Sequence, residues 1–261
     1  RCGSREAPLD EWIAQRYHLG EVLGRGGYGC VWRAWDAVLE RPVAVKLLAV
    51  QTFERRAAVL REVALLRRLR VAGVVHFLDE GVVGEQIFLV MELVEGRAFP
   101  GRAGKVRWEA IASTVDDLLG TIDRVHALGV LHGDLKPENV LVRPDGTVVV
   151  LDFGVASRTF EHLRADDPSR SGTRQYMAPE LFDAGARSTV QSDLYALGYM
   201  LYQALGGAEP FDDEPLSTRA IAAMRRKVRA VSLSDRDADV PSAVVAVVNA
   251  MLEGDPQRRF G

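Results

Sequence analysis

His132-Gly-Asp-Leu-Lys-Pro-Glu-Asn139, followed thirteen residues later by Asp152-Phe-Gly154, is the stretch from which the rest of the chain can be read. Asp134 can orient a hydroxyl nucleophile, Lys136 can neutralise a terminal phosphate, and Asn139 and Asp152 can hold Mg2+. In phosphoryl transfer the charge is spread over the phosphoryl oxygens, so positioned cations and hydrogen bonds matter more than a covalent nucleophile. The flanking residues set the spacing. Val140-Leu-Val142 and Thr147-Val-Val-Val-Leu151 read as strands and Asp145-Gly146 as the turn joining them. The expected hairpin carries a polar group at each outer end, Asn139 on one strand and Asp152 on the other.

Working upstream, Gly24-Arg-Gly-Gly-Tyr-Gly29 is a G-x-G-x-x-G run, a pattern shared by turns, dinucleotide sites and phosphate loops. A dinucleotide fold enters a helix after the last glycine. Here Cys30-Val-Trp-Arg-Ala-Trp-Asp36 alternates with period two and is rich in β-branched and aromatic residues, so a strand follows. Gly24, Gly26 and Gly29 thus read as a hairpin turn whose backbone N–H groups can approach phosphates with no Cβ in the way. Val43-Ala-Val-Lys46 is an apolar strand ending in a lysine, which is costly unless it meets a partner. Glu62 is the expected partner, on a helix running from about Phe53 to Leu69 with Val59, Val63 and Leu66 at helical spacing.

These residues, in this order, resemble a eukaryotic-type serine/threonine protein kinase catalytic domain of bacterial type. The resemblance extends through Gly172-Thr-Arg-Gln-Tyr-Met-Ala-Pro-Glu180 and Asp193-Leu-Tyr-Ala-Leu-Gly198 and covers nearly the whole chain. It implies an α+β fold in two lobes, a small antiparallel β-sheet lobe with one helix (about 12–91) and a larger, mainly helical lobe (about 99–261), joined by a hinge at 92–98. It implies ATP and Mg2+ as cofactors and protein substrates with Ser/Thr acceptors, the enzyme itself included. Lys136, together with Thr173 ahead of Tyr176-Met-Ala-Pro-Glu180, resembles the serine/threonine rather than the tyrosine branch.

The same resemblance places adenine at Val90-Met-Glu-Leu-Val94, with Met91 as gatekeeper, the backbone of Glu92 and Val94 as hinge, and Val31, Ala44 and Leu141 sandwiching the base. Ala98 stands where a polar ribose contact is usual. The Thr173 hydroxyl would support Asp134 and Lys136, Asp193 would anchor the catalytic-loop backbone, and Glu180 with Arg259 would form a structural ion pair. Gly133 is the departure, since most relatives carry an arginine there that pairs with a phosphate on the activation loop. His-Gly-Asp also resembles aminoglycoside and choline phosphotransferases, which generally lack the Ala-Pro-Glu segment. A catalytically silent scaffold is the third reading, and the full set of catalytic groups speaks against it.

The remaining features bound the function. A chain of 261 residues with 48% hydrophobic content can bury a sizeable core. A net charge of −3 argues against a general nucleic-acid binder. Its two cysteines, Cys2 and Cys30, cannot build a disulfide framework and fit a reducing, cytoplasmic compartment. No apolar run approaches the ~18 residues of a membrane span, so no membrane contact is expected of this segment, which reads as excised from a longer protein. Ile111, Val115, Leu118, Ile122 and Val125 predict a long amphipathic helix ending before Gly129, and Leu194, Leu197, Leu201 and Leu205 predict a buried helix with one apolar stripe. Arg55, Arg56, Arg61, Arg67, Arg68 and Arg70 surround Glu62, and Arg225, Arg226, Lys227 and Arg229 form a second basic run. Both read either as solvated faces or as contacts for phosphate or an acidic partner. Cys30 reads as a thiol facing either the nucleotide or the lobe interior.

Overall fold

The computed structural model describes residues 12–26, 29–50, 56–57, 59–60, 63, 67, 70–101, 105–153, 174–183, 185–211, 218–236 and 239–260. The chain divides into two compact units, Arg1–Glu95 and Gly96–Gly261. In the first, alternating sequence becomes an antiparallel sheet of β1 (Trp12–Ile13), β2 (Tyr17–Gly26), β3 (Gly29–Asp36), β4 (Arg41–Ala49), β5 (Phe77–Val83) and β6 (Gln86–Glu92), in the order β1-β2-β3-β4-β6-β5. Strand β3 follows its period-two pattern, with Cys30, Trp32, Ala34 and Asp36 buried. The first three join Ile13, Tyr17, Leu19, Val43, Val45, Phe88 and Val90 in one core cluster.

Asp36 is the charged group at the end of that face, and it is buried because Arg16 grips both its oxygens at 2.8 Å. That grip, with N–H donation from Val38 and Leu39, holds the Asp36 carboxyl below the usual range despite burial. Tyr17 donates its hydroxyl to Asp79 at 2.6 Å, and burial followed by that hydrogen bond pushes its pKa up. Within the expected 53–69 helix, residues 56–57, 59–60 and 63 are helical, and Val59 and Val63 are buried. Arg67 pairs with Glu80 at 3.0 Å.

The second unit opens with β7 (Arg97–Ala98), which the sequence reading assigned to the connector. It pairs with β8 (Val140–Val142), and β8 pairs with β9 (Val148–Val150). Helix α1 (Trp108–Ala127) buries Ile111, Val115, Leu118, Ile122 and Val125 and stops before Gly129, as its spacing predicts. Helix α2 (Val190–Gly206) starts from a capping box between Thr189 and Ser192. Its burial runs nearly all round, so the expected single stripe is corrected: Leu194 is half-buried, whereas Tyr195, Tyr199, Tyr202 and Gln203 are inside. The polar ends of Tyr199, Tyr202 and Gln203 find partners from other segments, which lets polar residues face the core. Helices α3 (Thr218–Lys227) and α4 (Ser242–Met251) follow.

Candidate active site

The β8–β9 hairpin forms with the expected turn, where Asp145 Oδ1 accepts from Thr147 N at 3.0 Å. Its register sets Val140 opposite Val150. One step further out, Leu151 N donates to Asn139 O at 2.8 Å, so the hairpin brings Asn139 and Asp152 to the same end. Asn139 is buried and donates Nδ2 to the Asp134 carbonyl at 2.8 Å and to Asp134 Oδ2 at 3.2 Å. Lys136 Nζ donates to the same Oδ2 at 2.8 Å. Asp134, Lys136 and Asn139 therefore form one cluster. Asp152 takes up a left-handed backbone with φ 49°, unusual for a residue with a β-carbon and of the kind that concentrates at functional sites.

The cluster is braced from below. Asp193, buried on the first turn of α2, accepts from His132 N at 2.8 Å, from Gly133 N at 2.9 Å and from His126 Nε2 at 2.9 Å. The anchoring expected of Asp193 is thus present, and His126 is a partner that the sequence reading missed. Gly133 has φ 73°, a conformation that favours glycine. His132 is fully buried, receives the Asp134 N–H on Nδ1 at 3.2 Å and reaches Leu151 O with Nε2 at 2.7 Å. Acceptance at Nδ1 puts the proton on Nε2. Burial lowers the His132 pKa, outweighing the opposing pull of Asp193, the Leu151 carbonyl, Asp134 and Asp152. Its ring lies 4.8 Å from that of Phe153.

Arg174–Ala178 packs over the same helix. Tyr176 OH donates to Gln203 at 2.8 Å, Gln175 donates to Glu209 at 2.6 Å, and Tyr199 and Gln203 donate to Glu209 as well. Arg225, expected within a basic run, is wholly buried between Tyr199 and Phe211 and donates to the Met177 carbonyl at 2.9 Å. The one signal for this was its i, i+3 spacing from the buried Ala222. Glu180 and Arg259 meet in a bidentate pair at 2.7 and 3.0 Å, with Arg259 buried over the Tyr195 ring.

In the first unit, Val31 opposes Lys46, Lys46 opposes Leu89, and Ala44 opposes Met91. Opposed residues share a face and steps of two stay on it, so Val31, Ala44, Lys46 and Met91 line one face of the sheet. The core cluster lies on the other, and buried Cys30 belongs to it, in the lobe interior. Gly24 and Gly26 face Val31 and Gly29 across the β2–β3 hairpin. A Cβ on Gly29 would overlap the Leu47 carbonyl, so strand packing alone requires glycine there. The Glu92 N–H is taken by the His76 carbonyl, Val94 lies just past β6, and Leu141 is half-buried on β8 of the second unit. Glu62 and Thr173 lie outside the described residues, as does the stretch 154–173.

Among the described residues, no helix is long and apolar enough to cross a membrane. Residues 17–261 match the family described as Protein kinase domain. The serine/threonine-protein kinase PknH of Mycobacterium bovis is 33% identical over 250 residues, covering 94% of this chain and 41% of that protein. The probable serine/threonine-protein kinase PknB of Lactococcus lactis is 32% identical over 261 residues, 95% of this chain and 40% of that protein. PknE of Mycobacterium tuberculosis is 32% identical over 251 residues, 94% and 44% of the two chains. The chain spans about two fifths of the length of these curated relatives.

Proposed function

The chain belongs to the protein kinase family, and on that premise we propose that it transfers the γ-phosphoryl group of ATP, with Mg2+, to serine or threonine hydroxyls of protein substrates. The observation that carries this reading is the bracing of Asp134, which accepts from Lys136 and Asn139 while Asp193 holds the two amides ahead of it. A carboxylate held on one side keeps its other lone pairs in a fixed direction, as orienting an attacking hydroxyl requires. Lys136 carries its charge beside that carboxylate and is assigned to the γ-phosphate.

Mg2+ would be held by Asn139 and Asp152 and would supply positive charge against the phosphates. Asn139 and Asp152 fit it as hard oxygen donors. With Nδ2 of Asn139 committed to Asp134, the amide Oδ1 is turned the other way. In the first unit, Lys46, with Glu62 as partner, is assigned to the remaining phosphates, Gly24, Gly26 and Gly29 to their backbone cover, and Val31, Ala44, Met91, Glu92 and Val94 to adenine, joined by Leu141. The Ser/Thr acceptor rests on the relatives' names and on Lys136 with Thr173, and autophosphorylation and a cytoplasmic setting belong to the same proposal.

The test is incubation with radiolabelled ATP, Mg2+ and a generic protein substrate. Label is expected on serine and threonine, and chelation of the metal should abolish it. Asp134→Asn should keep ATP affinity and lose roughly 10²–10⁴-fold in kcat, the usual weight of positioned proton transfer. Nucleotide binding without transfer would replace the proposal with a scaffold, and label passing only to an aminated sugar or choline would replace it with a small-molecule phosphotransferase.

A further inference from the structure

The basic run at the end of α3 does not form one solvated face. Arg225 turns inward, while Arg226, Lys227 and Arg229 line a cavity of about 280 Å3 with Arg258, Asn249 and Glu253. Four cationic side chains face one carboxylate there, in a chain whose net charge is −3. Two of the four have acidic neighbours of their own: Arg226 holds Asp183 at 2.6 Å, and Arg258 lies 3.8 Å from Asp255. Lys227 and Arg229 have no ion-pair partner among the described residues. A second feature is independent of charge. The Asn249 side chain lines the cavity, and its Oδ1 is buried with no hydrogen-bond partner among the described residues, a costly arrangement for a polar atom.

From these two features we infer that the cavity is a docking site for a phosphorylated serine or threonine on a protein segment. Phosphate on a side chain carries about −1.5 to −2 charges at pH 7, which matches the two cations without an ion pair among the described residues better than a single carboxylate does. Three of the four cations are arginine, whose planar fork suits phosphate oxygens, whereas lysine acts as a point charge. The Asn249 acceptor calls for a hydrogen-bond donor. An esterified phosphate dianion offers acceptors only, and the backbone N–H of a peptide segment supplies the donor. The cavity falls just below the ~300–1,000 Å3 of small-molecule pockets, which suits one modified side chain with its flanking backbone. Arg226 also donates to the Pro179 carbonyl at 2.9 Å, so the cavity adjoins the Ala178-Pro-Glu180 turn that closes the Arg174–Ala178 segment. The inference rests on the proposed kinase activity only for the identity of its ligand, since phosphorylated Ser/Thr segments are that reaction's product class.

The test measures binding and needs no turnover. Two fluorescein-labelled degenerate peptide libraries, one centred on phosphoserine and phosphothreonine and its unphosphorylated twin, are titrated with the chain by anisotropy. The phosphorylated library is expected to bind at least tenfold more tightly. The double variant Lys227→Ala, Arg229→Ala should lose that advantage with its unfolding midpoint unchanged. Asn249→Ala should weaken the peptide while leaving competition by inorganic phosphate as it was. Asp134→Asn should bind the library as wild type does while failing to transfer phosphate, which separates this inference from the proposed reaction. Equal affinity for the two libraries, or full binding by the double variant, overturns the inference. Inorganic phosphate competing as well as the peptide reduces the cavity to a simple ion site and also overturns it.

Discussion

At the scale of single residues, His132 ties folding to pH. Its folded pKa is lowered by burial, so above about 6.5 neither the folded nor the unfolded chain carries the proton and this contribution to stability is complete. As pH falls below about 6.5, the unfolded chain takes up a proton that the folded one refuses. Stability should then drop by up to ~1.4 kcal/mol per pH unit until the folded pKa is reached. Urea unfolding at pH 7.5, 6.5 and 5.5 checks this: His132→Phe, which cannot titrate, should show a shallower slope than wild type, and equal slopes would remove the assignment. Gly133 next to it has φ 73°, where a β-carbon costs about 1–2 kcal/mol, so the missing arginine also relieves backbone strain beside Asp134. Asp134, Lys136, Asn139 and Asp152 were legible because chemistry fixes their spacing and their hairpin is local. His126 was not, because its link to Asp193 spans 67 residues.

At the scale of elements, the strands were read most faithfully, since alternation survives in a sheet with one buried face. Helix α2 was misjudged because periodicity counts apolar residues only. Tyr195, Tyr199, Tyr202 and Gln203 are inside, and the partners of Tyr199, Tyr202 and Gln203, namely Glu209, Arg236 and Tyr176, lie in other segments. Arg225 was hidden for a similar reason, as one of four basic residues within five positions whose fate depends on what packs over it. Its guanidinium satisfies the Met177 carbonyl and stacks on two rings. Arg225→Met should therefore destabilise the second unit by about 1–3 kcal/mol, the cost of leaving a buried partner unpaired. Arg225→Lys should recover part of the loss, because a point charge reaches a carbonyl but not both rings. Chemical denaturation decides between this and a solvated arginine, for which both variants would match wild type.

At the scale of the whole chain, distant stretches are fastened by a few charged joints, most plainly Glu180 to Arg259 across 79 residues. Arg259 also donates to the Glu253 and Gln191 carbonyls, so a loss of its carboxylate leaves a buried cation half-satisfied. Glu180→Gln should cost about 3–5 kcal/mol, read as a lower urea midpoint, and no change would mean that the pair is ornamental. Asp193 is a joint of another kind, and it governs time as well as strength. Residues 131–136 form no regular ladder, yet the amide hydrogens of His132 and Gly133 end on a carboxylate rooted in the most deeply packed helix. Each of those two hydrogens must leave that carboxylate before it can exchange with solvent. The loop that carries Asp134 should therefore exchange at these two amides more slowly than its irregular backbone alone would allow.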